Sequence, residues 1–107
     1  MNTPEDLELK FHRRMLQIYE QARSECGYTA RRFHTMVTNQ GGFQAAKALL
    51  SSSTYSEGLT RLWEEGRLDI SMEATVLKHP WRELFTDEDL NAARKKLIAL
   101  GFNVSEN

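Results

Sequence analysis

A chain of 107 residues with 40% apolar and 27% charged side chains falls in the globular range, and its length predicts one domain around one core. A net charge of −1 excludes a global basic field for nucleic acid, and no run approaches the roughly 18 apolar residues of a membrane span. Acidic residues near Met1 and the lone Cys26 argue against a secretory leader and an internal disulfide, so the expected compartment is the cytoplasm.

With only two prolines and six glycines, the chain has long uninterrupted segments, which favours helices. Thr3-Pro4-Glu5-Asp6 reads as a helix start: a hydroxyl cap, proline at the first position, then acids facing the macrodipole. Leu7, Phe11, Met15, Ile18, Ala22 and Cys26 recur every three or four residues, and Tyr19 widens the stripe. The first helix is therefore expected over residues 4–26, closed by Gly27. At about 33 Å it would match the width of the whole domain, leaving one end free to project toward a partner.

Thr29 is expected to cap a second helix ending near residue 40, with Phe33, Met36 and Val37 inward. Gly41-Gly42 interrupts it, and a short apolar helix covers residues 43–50. After the polar loop 51–54, Ser56 can cap a fourth helix with Leu59, Leu62 and Trp63 inward, ended by Gly66. Asp69 or Ser71 starts a fifth, burying Met72, Val76 and Leu77 and ending before Pro80. The last helix has Thr86 as cap, Asp89 as capping-box acid, a Phe85–Leu90 staple, an inner face of Leu90, Ala93, Leu97 and Leu100, and a Gly101 stop. The expected fold is all-α, a compact single-domain bundle of five or six helices with a long N-terminal helix.

Few residues suggest chemistry. His12, His34 and His79 each stand alone, with no second histidine or cysteine three or four positions away, so structural roles are expected. His12 should be solvated beside Arg13-Arg14, and His79 should bond a terminal carbonyl. Cys26 reads as a buried, inert thiol, and Asp87, Glu88 and Asp89 as first-turn acids. Trp63 and Trp81 are expected in the core rather than as stacking platforms. Gly41-Gly42 reads as a tight turn, since no phosphate-loop pattern surrounds it. A helix-turn-helix outline exists there, but its second helix offers base edges only Gln44 and Lys47. No nucleophile–base pair or ligand set can be assembled, so no enzyme, metal or cofactor is expected.

Charge is unevenly spread. Residues 10–47 carry Lys10, Arg13, Arg14, Arg23, Arg31, Arg32 and Lys47 against Glu20 and Glu25, a local +5, while the segments on either side are each −3. This is either scattered solvated charge or a basic face for an anionic partner. The candidate partner-binding residues are Arg31, Arg32, His34, Asn39, Gln40, Gln44 and Lys47, in a surface that includes Thr35 and Thr38. Arg94-Lys95-Lys96 makes a second patch that the helix dipole alone explains. In the turn 66–69, Arg67 and Asp69 either pair to fix the turn or form a protein-facing charged loop.

Three segments, RFHTMVTNQGGFQAAKALL, SEGLTRLWEEGRLDISMEATVL and LFTDEDLNAARKKLIALGF, carry a resemblance over residues 28–102. The chain resembles a family of small all-helical domains in uncharacterised bacterial proteins that occur near restriction, modification and mobile-element proteins. The resemblance implies a helical accessory module in DNA handling or defence, touching nucleic acid or a protein, and implies no reaction. Two other readings stand beside it: a homo-oligomeric structural protein, such as a homodimer, pairing through the long first helix, and a mobile-element inhibitor of a host nuclease.

Overall fold

A computed structural model describes residues 4–104, with side chains from Asp6 onward. Six α-helices follow one another: α1 (Pro4–Cys26), α2 (Arg31–Gln40), α3 (Gly42–Ser51), α4 (Glu57–Glu64), α5 (Met72–Val76) and α6 (Asp87–Ala99). Short 3₁₀ turns at Leu68–Ile70 and Trp81–Leu84 link the later helices, and there is no strand among the described residues. The all-α class and the long first helix are as the sequence predicts. Thr3, the expected cap of α1, lies outside the described residues.

The stripe on α1 is the spine of the core. Phe11, Met15, Ile18 and Ala22 are all buried, and Phe11 has no exposure at all. Its ring meets Trp81 at 5.8 Å and Phe85 edge-on at 5.4 Å, and Phe85 in turn meets Phe43 at 5.4 Å. Trp81 thus packs on the core as expected. Leu7 is buried near one end of the helix and Cys26 is half-buried at the other. The core cluster takes up the stripe from Phe11 to Ala22, with Cys26 packed against it.

The tightest crossing is α1 on α3. Gly42 is buried, and a Cβ there would sit 2.7 Å from the Cα of His12. Gly41, at φ +88°, closes α2 and opens α3 in a conformation that side-chain-bearing residues rarely adopt. Having no side chain, it cannot cap α3. His12 does so from across the interface: its Nδ1 accepts the Gly42 N–H at 3.0 Å. The expectation of a solvated His12 is therefore corrected. The stripe orients α1 so that the ring is half-buried against the start of α3.

Local signals set most other boundaries, with three corrections. The N-cap of α2 is Ala30, not Thr29, and no side chain caps it. Ala30 is buried, and drawing it into the core moves the start one residue on. Trp63 is 48% exposed rather than inward. Leu59 and Leu62 fix the inward direction of the eight-residue α4, and Trp63 falls about 70° away from it at 100° per residue. His79 makes no bond to a terminal carbonyl; it is exposed, with Nδ1 3.5 Å from Glu83.

Ser56 Oγ accepts the Leu59 N–H at 3.1 Å, and Ser71 Oγ does the same for Ala74 at 3.1 Å. Arg67 pairs with Asp69 at 3.1 Å, the turn-fixing alternative, and also reaches Glu25 at 2.7 Å. The reciprocal Thr86–Asp89 box is present, with bonds of 3.2 and 3.1 Å. Thr86→Ala should therefore cost about 1 kcal/mol in urea unfolding; a change near zero would mean the box is idle.

Candidate functional site

The outer face of α2 gathers most of the candidate residues. Arg31, Arg32, Thr35, Thr38, Asn39 and Gln40 are exposed there, while Val37 anchors the opposite face in the core. His34 is half-buried, its ring 4.4 Å from that of Tyr19 on α1. Gln44, exposed on α3, shares a shallow pocket with Gln40, Leu9 and His12. Lys47 does not belong to this surface. Its ammonium is 2.6 Å from Asp89, tying α3 to α6, and lies 6.0 Å from the Phe43 ring centroid. Burial works to raise the Asp89 pKa, but hydrogen bonds from Lys47 and Thr86 outweigh it and hold the carboxyl below its usual range.

The electrostatics of α2 are unbalanced at its start. Its first turn has no acidic residue, its N-cap makes no side-chain bond, and two arginines sit where the macrodipole is positive. Arg31 and Arg32 have no carboxylate partner among the described residues. Arg23, Arg61 and Arg67 do, each within 3.1 Å. The Arg31 N–H is taken by the Thr29 carbonyl at 2.9 Å, so it is the two guanidiniums at the positive helix end that attract anions.

A second feature lies beside this face. A largely apolar cavity of about 300 Å³ opens between the C-terminal half of α1, α2, the start of α4 and the start of α5. Ile18, Phe33, Met36 and Leu59 are among its walls; Arg32, Tyr28, Tyr55 and Glu57 stand among its polar lining. The Tyr28 hydroxyl donates to Glu57 at 3.2 Å, and the Arg61 guanidinium lies 5.2 Å from the Tyr28 ring centroid. Burial, reinforced by Glu57, pushes the Tyr28 phenol up.

Glu73 also lines the cavity and is only 3% exposed. Burial drives its carboxyl above the ordinary carboxylate value; its own backbone N–H and the Lys96 charge oppose this. Lys96, 7% exposed, does not form an ion pair with it. The ammonium donates to the Leu49 carbonyl at 2.9 Å, at the negative end of α3.

Sequence reasoning missed both buried charges. The available signal was an acid set in the run ISMEATVL, apolar or small throughout, but α5 is only five residues long and is buried on every side. A one-faced helical pattern cannot report that. Among the described residues no three His, Cys, Asp or Glu side chains converge. No family model, curated protein or solved structure matches this chain.

Proposed function

We propose that this chain is a non-enzymatic binding module that receives an anionic partner, nucleic acid, on the outer face of α2. The observation that carries this reading is the unneutralised start of that helix: Arg31 and Arg32 without carboxylates among the described residues, no acid in the first turn, no side-chain cap. Thr35, Thr38, Asn39, Gln40 and Gln44 continue the surface with groups that donate to phosphates or base edges. The histidines support a binding role over a reaction, since His12 is committed to Gly42 and the His34 ring packs, tilted, against Tyr19. The bacterial DNA-handling or defence setting comes from the resemblance over residues 28–102.

Pairing of two copies through α1 finds no such support, because the apolar stripe that would carry it is buried in the chain's own core. Fluorescence anisotropy against duplex DNA, single-stranded DNA and RNA tests the reading. Binding should weaken steeply with salt, and Arg31→Ala with Arg32→Ala should flatten the log–log salt slope by about 2. The same double variant should lose at least about tenfold in affinity at low salt. An unchanged slope removes this face from consideration. No binding at any salt concentration overturns the nucleic-acid reading and turns attention to protein partners.

A further inference from the structure

We infer that the cavity between α1, α2, α4 and α5 is a binding site for a small primary amine with an apolar body, its ammonium received by Glu73. The space of about 300 Å³ sits at the small end of ligand pockets and holds on the order of ten non-hydrogen atoms. Its walls, Ile18, Phe33, Met36 and Leu59 among them, suit an aromatic ring or a short alkyl chain. What sets it apart from a packing gap is the carboxyl. Glu73 is nine-tenths buried at the cavity, and among the described residues no side chain is hydrogen-bonded to its carboxyl.

A carboxylate has room for about four donors, so the Glu73 carboxyl can take those that a ligand brings. Lys96 is near enough to act through space, yet its ammonium is engaged by the Leu49 carbonyl. A ligand ammonium would supply the donors and the opposite charge together, whereas an alcohol would supply only a donor. A carboxylate ligand would meet two acids, Glu57 and Glu73, against the single cation Arg32 in the lining. The ring of Tyr55 provides a face that favours a cation on its way in, while the Tyr28 ring already meets Arg61.

The test titrates phenethylamine, ethylbenzene and hydrocinnamate into the isotope-labelled full chain at neutral pH, following the amides of Leu59, Leu62, Met72 and Glu73 by NMR. Phenethylamine is expected to bind at least about tenfold more tightly than either analogue. Glu73→Gln, a near-isosteric change, should remove that preference. Gly58→Leu should close the site to all three, because its Cβ would stand 4.0 Å from Tyr28 Cε2 in the cavity lining. Cavity amides that never shift, equal affinity for all three probes, or an amine preference that survives Glu73→Gln would each overturn the inference. Should Glu73→Gln fail to fold, the probe series on the native chain and Gly58→Leu still decide it. Arg31 and Arg32 are left untouched, so failure here is separate from failure of the α2 reading.

Discussion

Gly42→Ala is expected to lower the stability of the fold by about 3 kcal/mol, the upper part of the range for overpacking a close contact. The added Cβ would meet His12 Cα at 2.7 Å, Met15 Cγ at 3.1 Å and His12 Cβ at 3.4 Å. The methionine can swing aside, but the backbone of α1 cannot. The two helices must therefore separate, and separation also stretches the His12–Gly42 bond that caps α3. Alanine's helix propensity offsets at most about 1 kcal/mol of this. Urea unfolding of the variant should show a lower midpoint at unchanged slope. Gly58→Ala serves as the control: its Cβ would make only an ordinary contact of 4.0 Å, with Tyr28, and should cost nothing. Equal behaviour of the two variants would mean that the α1–α3 crossing is not close-packed.

Lys96→Met is expected to cost about 3 kcal/mol at neutral pH and less in acid. Two losses add. The Leu49 carbonyl forfeits its charged donor, and Glu73 forfeits the positive charge that eases its ionisation. The pH dependence follows from the raised pKa of Glu73. Burial lets the folded chain hold this proton to a higher pH than the unfolded chain, whose ordinary value is 4.5. The stabilising contribution is thus complete below about pH 4.5 and is lost as pH rises through the folded value. Without Lys96 the ionised form is costlier still, so the penalty grows over the same rise. Glu73→Gln should show the opposite sign, a gain on the order of 1–3 kcal/mol at neutral pH that fades in acid. Thermal melts of both variants across the acid-to-neutral range check this. A flat pH response in either would show that Glu73 is not the buried titrating group.

Local signals were legible in the sequence, and tertiary ones were not. Ser56, Ser71 and Thr86 mark helix starts because a hydroxyl accepts an N–H three residues on, an interaction wholly inside one segment. The Phe11-to-Ala22 stripe is equally local, since helical periodicity alone puts it on one face. His12, Lys47 and Lys96 each take a partner 30 to 47 residues away, which no spacing rule reports. Trp63 was misplaced because an eight-residue helix has too few turns to fix its inner face. Glu73 was missed because α5 is buried all round. Of the candidate binding set, Arg31, Arg32, Asn39, Gln40 and Gln44 remain on the surface; His34 is half-buried against Tyr19, and Lys47 is removed by Asp89.

The central claim, that the outer face of α2 is where this chain meets an anionic partner, is tested most directly by mapping amide shifts during titration with a short DNA duplex at low salt. The expected result is a contiguous set of shifts over residues 31–40 and at Gln44 that reverses on adding salt. Shifts confined to other helices, or none at low salt, would contradict it.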